Sequence, residues 1–250
     1  MRKRIIKYLN SIEKEENIRI LYACEAGSRA YGTETAESDY DVRFIYMRPL
    51  RAYMSIVQSE RTISRKSPFS VEYHGWDIFK AFELCRKSNP ALYEWFCSPC
   101  IYLKDEFFYI NMKQIIYSGY SLQVLFRHYQ SLAQKNIKEL KRKETGSKVY
   151  VKTFLQALRG VMAMRWIAKR QSLPPLSVKQ LADGDQYIEE MINVLVKAKT
   201  MDVYSKHIPK ESFFNEMLNS LLDYFQKHTS EPEGVDVQEL NELLWTLLKI

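Results

Sequence analysis

Residues 27–43 read GSRAYGTETAESDYDVR, and the fold turns on how this stretch joins its flanks. Before it, Ile18–Ala23 (IRILYA) is a short apolar run of β-rich composition and reads as a strand. Within and after it, Tyr40–Tyr46 (YDVRFIY) reads as a second strand. Asp39 and Asp41 lie two apart at the start of that strand. Side chains two apart on a strand share a face, with Cα atoms ~6.5–7 Å apart. Two carboxylates converging there repel each other unless cations sit between them. A two-metal site uses that arrangement, with Mg²⁺ ions ~3.5–4 Å apart. The first strand feeds a Gly27-Ser28 turn, where backbone N–H groups and the Ser hydroxyl can cradle a polyphosphate. An Asp-x-Asp by itself is far more often a solvated surface pair; the context gives it weight.

Working outward, Ile5, Ile6, Leu9 and Ile12 are spaced for an amphipathic helix over about 2–16. Leu50–Ile56 reads as a short helix, Arg61–Ser64 as a weak strand and Phe69–His74 (FSVEYH) as a third good strand. Helical spacing then takes over: 77–86, 91–96, 106–118, 121–143, 148–170, 185–200, 211–228 and 236–249. The breaks fall at Ser88-Asn89-Pro90, Gly119, Lys143–Ser147, Pro174-Pro175 and Glu231-Pro232-Glu233-Gly234. The expected class is α+β, with a sheet-bearing domain over 1–110 and an all-α helical domain over 111–250.

Composition agrees with a compact folded chain. Of 250 residues, 46% are hydrophobic and 27% charged, and 8 Gly with 8 Pro leave little material for long linkers. Lys7, Asn10, Glu13 and Lys14 interrupt the apolar residues of the first segment, so it does not read as a signal peptide. No stretch approaches the ~20 apolar residues of a membrane span, and the expected location is cytoplasmic. Cys24, Cys85, Cys97 and Cys100 show no regular framework. Cys97-Ser98-Pro99-Cys100 lacks the second pair that a zinc site needs, and reduced cysteines are expected. A net charge of +7 and a pI near 9.0 favour anionic partners such as nucleotides, RNA or tRNA.

A strand, a Gly-Ser turn, a spacer and an Asp-x-Asp strand together resemble the nucleotidyltransferase signature of the DNA polymerase beta superfamily. Gly27, Ser28, Asp39 and Asp41 carry it. GSRAYG…SDYDVR, then GWDIFKAFELCRKSNPALYEW, SPCIY, RHYQSLAQKN, KTFLQALRGVMAMRW and Pro174-Pro175 extend the likeness over about 20–180. The sequence resembles a bacterial and phage branch of predicted nucleotidyltransferases associated with RNA ligase and RNA repair gene clusters. The resemblance implies a nucleotidyltransferase-fold mixed sheet with flanking helices followed by a helical domain. It also implies two ions, Mg²⁺ or Mn²⁺, an NTP donor, and transfer of NMP to a hydroxyl acceptor such as an RNA end or tRNA.

The family adds a third carboxylate on a neighbouring strand. Glu72, within FSVEYH, is the best placed, although Glu stands where Asp is usual; Asp77 competes but reads as a helix cap. By the resemblance, Asp39, Asp41 and Glu72 are the catalytic and metal-holding residues, and Gly27 and Ser28 bind the β- and γ-phosphates. Arg29 and Arg43 flank them in sequence, and Arg43 is expected on the carboxylate face, free to neutralise phosphate or to pair with an acid. Lys152, Arg159 and Arg165, at spacings of seven and six, fall roughly on one side of a helix. Lys152 and Arg159 are candidates for nucleotide contact, and a solvated face is the competing explanation. His74 is expected on the face opposite Glu72, and no catalytic histidine is expected. A protein or small-molecule acceptor, or a nucleotide-binding module that has lost catalysis, are the alternatives.

Overall fold

The computed structural model describes residues 1–57, 59–199, 212–228 and 234–250. The predicted break at Glu231-Pro232-Glu233 lies outside the described residues, as do the end of the helix expected to reach 200 and the start of that expected at 211. Five strands form one mixed sheet: β1 (Arg19–Glu25), β2 (Tyr40–Met47), β3 (Thr62–Lys66), β4 (Val71–Asp77) and β5 (Ile101–Lys104). Their order is β3-β4-β2-β1-β5. Only the central β2–β4 pair is parallel; β1–β2, β1–β5 and β3–β4 are antiparallel.

Helix α1 (Arg2–Glu16) forms because Ile5, Leu9 and Ile12 fall on one stripe, and all three are buried. Asn17, with φ 49°, ends it in the left-handed region. That stripe joins a core with Ala23, Val42, Phe44, Tyr46, Val71 and Tyr73, which lie on one face of the sheet. The other face meets α4 (Ile78–Arg86), α5 (Pro90–Phe96) and α6 (Glu106–Gly119). Tyr22 there stacks on Phe96, with ring centroids 4.7 Å apart, and Trp76 stacks on Trp95 at 3.7 Å. Short helices α2 (Gly27–Tyr31) and α3 (Leu50–Tyr53) follow β1 and β2.

Several predicted elements differ in detail. The strand expected from Phe69 begins at Val71, because Ser67–Ser70 forms a turn closed by a Ser70 N–H to Ser67 carbonyl bond, with Ser70 at φ 58°. Strand β5 was not anticipated: four residues at a sheet edge are too few to establish a period. Asn89, with Pro90 behind it, caps α5 by accepting from Ala91 and Leu92 N–H groups.

The remaining helices are α7 (Leu122–Leu140), α8 (Lys148–Arg170), α9 (Val178–Leu181), α10 (Gln186–Ala198), α11 (Phe213–His228) and α12 (Val237–Leu248). By packing, the chain divides into two units. One comprises Met1–Ala30, Ser38–Tyr120 and the stretch containing α12, which packs on α6. The other comprises Tyr31–Glu37 and the helices α7 to α11. The sequence-based division at 110/111 differs from this one: the sheet-bearing unit runs on through α6 and regains α12. Within the helical unit α7 and α8 cross closely at Gly160, where an added Cβ would lie 2.9 Å from the Tyr129 carbonyl. Among the described residues no helix is long and apolar enough to cross a membrane.

Candidate functional site

Strand β2 carries the centre of the site. Val42 and Phe44 point into the core, so Asp41 and Arg43, one residue out of phase, point to the opposite face. Asp39 precedes the strand and is exposed. In the parallel β2–β4 register Asp41 lies opposite Glu72 and Arg43 opposite His74. Paired strands run ~4.8 Å apart, which brings the second and third predicted carboxylates onto neighbouring strands and one face. Arg43 shares that face as expected, its Nη2 3.3 Å from Asp41 Oδ1.

The Gly27-Ser28 turn meets Asp41 at close range. Gly27 has φ +64°, and a Cβ on it would lie 2.4 Å from Asp41 Oδ2. Both facts require glycine: the left-handed backbone, and the carboxylate lodged where a side chain would begin. Arg29, next along, donates to the Ser38 carbonyl (2.8 Å) and the Asp39 carbonyl (3.3 Å). Its guanidinium lies 3.8 Å over the Tyr40 ring, so this cation ties the turn to the residues bearing the aspartates.

One residue of this arrangement escaped the sequence reading. Glu25, the last residue of β1, is 1% exposed. Its Oε1 accepts the Asp41 backbone N–H at 2.8 Å and its Oε2 accepts the Tyr102 hydroxyl. Burial pushes the Glu25 carboxyl above its ordinary range, and the Tyr102 bond opposes the shift. The Ala26 N–H to Asp41 carbonyl bond (2.8 Å) completes a fixed join between the end of β1 and the start of β2.

His74 corrects the reading. It lies two residues from Glu72, so the pleat puts both on one face, and both line an open cleft of about 360 Å³ with Arg43, Ser64, Arg65, Lys66 and Tyr73. The Trp76 indole, which can only donate, bonds His74 Nε2 at 3.1 Å. Nδ1 therefore carries the proton toward Ser64 Oγ, 2.9 Å away. Burial, then Arg43 and Lys80, push the imidazole pKa down, favouring this neutral form. Asp77 behaves as the cap that its sequence position suggests, accepting from the Phe79 N–H at 3.0 Å.

Three oxygen-donor acids suit a hard divalent ion in kind. Glu72, however, is exposed with Lys66 Nζ 3.7 Å from its Oε1, and Asp41 faces Arg43. Among the described residues no three His, Cys, Asp or Glu side chains converge closely enough to hold a metal ion. The acids match such ions in donor type only: they are spread, and cations stand beside two of them.

In the helical unit the three cations of α8 do not form a shared face. Lys152 is exposed, Arg165 is paired with Asp185 at 2.9 Å, and Arg159 is buried with its guanidinium 4.0 Å over the Tyr31 ring. A step of six residues leaves Arg165 ~120° round the helix from Arg159, whereas a step of seven returns Arg159 to within ~20° of Lys152, so those two differ in burial and not in direction. The buried Lys199 amino group donates to the Thr33 carbonyl in the same unit. The cysteines are all free, with Cys24 and Cys85 buried.

The comparisons bear on this geometry. The chain is 28% identical over 251 residues to the "Uncharacterized protein YcgL" of Bacillus subtilis (strain 168), covering 98% of this chain and 95% of that one. A solved nucleotidyltransferase-like protein from Exiguobacterium sibiricum 255-15 aligns over 98% of this chain and 80% of its own, at 10% identity and a TM-score of 0.34. That likeness is too distant to add to the fold. Residues 1–246 match the model of the RNA repair pathway DNA polymerase beta family (RlaP), a match that takes in the Gly27-Ser28 turn and all three acids. The chain belongs to the RNA repair pathway DNA polymerase beta family.

Proposed function

We propose that this protein is a metal-dependent nucleotidyltransferase moving an NMP from an NTP to a hydroxyl acceptor, an RNA end or tRNA, in the cytoplasm. The observation that carries the reading is the junction of three elements. The Asp41 carboxylate rests against the Cα of Gly27 and stands opposite Glu72 on a parallel strand. Family membership supports the reaction class.

In this reading Asp39, Asp41 and Glu72 are the residues that would hold two ions, Mg²⁺ or Mn²⁺. When bound, the two ions would screen the phosphate charge and lower the pKa of the acceptor hydroxyl. Gly27 and Ser28 lie against the β- and γ-phosphates with no side chain in the way. Arg43 exchanges its partner Asp41 for a phosphate oxygen, while Arg29 holds the turn to Asp39. Glu72 is the residue assigned to help take up the hydroxyl proton as oxygen attacks the α-phosphorus and pyrophosphate departs in line.

The test is transfer of α-³²P label from each of the four NTPs to mixed tRNA and RNA fragments, with Mg²⁺ or Mn²⁺. Label that depends on metal and vanishes in the Asp39→Ala/Asp41→Ala variant is the expected result. Label on protein or small molecules alone would keep the chemistry and discard the RNA acceptor. Nucleotide binding without any transfer would leave a module that has lost catalysis.

A further inference from the structure

Residues 98–102, SPCIY, take no part in the transfer chemistry proposed above. They join α5 to β5, with Ile101 and Tyr102 as the first two residues of that strand. β5 pairs with β1 on the side away from β2, so the segment reaches Asp41 through β1. All of these elements belong to the sheet-bearing unit.

Glu25, at the end of β1, makes the connection, and each of its polar groups is engaged. Its N–H donates to the Cys100 carbonyl at 2.9 Å, and its carbonyl accepts the Ser98 hydroxyl at 2.6 Å. The Tyr102 hydroxyl donates to Oε2, and the Asp41 N–H donates to Oε1 at 2.8 Å. Three of these four bonds are made with residues 98–102, and the fourth passes to Asp41. The segment is itself braced: the Cys100 N–H donates to Ser98 Oγ at 3.3 Å, and the Arg2 guanidinium lies 5.4 Å from the Tyr102 ring centroid. Glu25, Ser98 and Tyr102 are all buried, so a partner lost here leaves a polar group that water does not readily serve. With its N–H, carbonyl and Oε2 held, Glu25 presents Oε1 to one place. A shift there is a shift of the Asp41 backbone, whose carboxylate rests against Gly27.

We propose that Glu25 is a positioning residue, held by Ser98–Tyr102 and fixing where the Asp41 carboxylate stands. It acts through the Asp41 backbone and touches no reacting atom. Its effect on transfer rests on the transferase reading; the fixing of Asp41 does not. Geometry is the agent here and not charge. An amide at position 25 has the same shape, accepts the Asp41 N–H through its oxygen and can donate to the Tyr102 oxygen. Small displacements are enough to matter, since a misplacement of ~1 Å costs about 100-fold in rate.

The test compares Tyr102→Phe, Glu25→Ala and Glu25→Gln with wild type. Tyr46→Phe is the control, because it removes a buried tyrosine's bond at the other end of β2, to the Glu60 carbonyl at 3.3 Å. Tyr102→Phe keeps the buried ring and with it the fold, checked by the urea midpoint. Two quantities are read: amide hydrogen exchange at Asp41 by NMR, and kcat and KM for the NTP in label transfer. Tyr102→Phe is expected to speed Asp41 exchange about tenfold and lower kcat about tenfold, with KM within about twofold. Glu25→Ala exceeds both effects, Glu25→Gln returns both close to wild type, and Tyr46→Phe changes neither. If wild type transfers no label, the transferase reading fails and exchange alone decides. Asp41 exchange unchanged in Tyr102→Phe and Glu25→Ala overturns the proposal, as does faster exchange with kcat intact. Glu25→Gln as impaired as Glu25→Ala would make charge the agent, and equal losses in Tyr46→Phe would mean general loosening; either also overturns it.

Discussion

Gly27→Ala is the most informative single change at the candidate site. Its left-handed backbone costs a non-glycine residue about 1–2 kcal/mol, and the new Cβ meets the Asp41 carboxylate at 2.4 Å. We expect a folded protein, destabilised by roughly that amount in urea, with label transfer reduced at least as severely as in Asp41→Ala. Unaltered transfer would remove the Gly27–Asp41 contact from the mechanism. Asp77 supplies a pH test. Burial raises its carboxyl pKa above the ordinary value of 3.8, outweighing the Phe79, Tyr53 and arginine contributions. Its favourable contribution is therefore present below the unfolded pKa and lost as pH rises through the raised folded value. Asp77→Asn keeps an acceptor for the Phe79 N–H but does not titrate. Its Tm relative to wild type should climb as pH rises from below 3.8 through the raised folded value; a falling difference would contradict the burial argument. At this scale part was legible: the shared strand face of Asp41 and Arg43 and the Asp77 cap follow from the local pattern. Glu25 was not, because an acid ending an apolar strand looks like a polar terminus until pairing with β2 reveals its bond to the Asp41 N–H. His74 was legible and misread, since two residues along a strand return to the same face.

The elements were legible wherever a period could be counted. Helices α1, α6 and α8 carry apolar residues at 3.6-residue spacing, and β2 alternates over its first residues. β5, with four residues, and α9, with four, offer no period. The parallel β2–β4 pairing that sets Asp41 beside Glu72 is a long-range choice that no local pattern records. Close approach between helices is equally silent in sequence, and Gly160 illustrates it. Alanine would gain about 1 kcal/mol in helix propensity. It would also force a Cβ within 2.9 Å of the Tyr129 carbonyl and 3.0 Å of the Ala133 nitrogen, backbone atoms that yield only by moving the helix, at about 1–3 kcal/mol. The second effect wins: Gly160→Ala should lower the urea midpoint by the equivalent of ~1 kcal/mol with the m-value unchanged. A stabilised variant would show that α7 and α8 can part freely.

For the whole molecule, the run of predicted strands followed by predicted helices anticipated an α+β chain, and the sheet with its flanking helices has that form. Where the parts divide was harder to read, because helical periodicity says nothing about which neighbour a helix packs against. α6 and α12 look like members of one helical series, yet both belong with the sheet. At Gly119 the approach is close enough that a Cβ would lie 2.8 Å from Val235 Cα. This return of the chain has a consequence for the protein's birth. The helical unit is made between the two halves of the sheet-bearing unit, some 110 residues translated at about 5–20 per second. Nascent α6 must therefore wait roughly 5–20 s on the ribosome with its α12-facing side bare. Chaperones that shield apolar surface on growing chains would meet this protein there first.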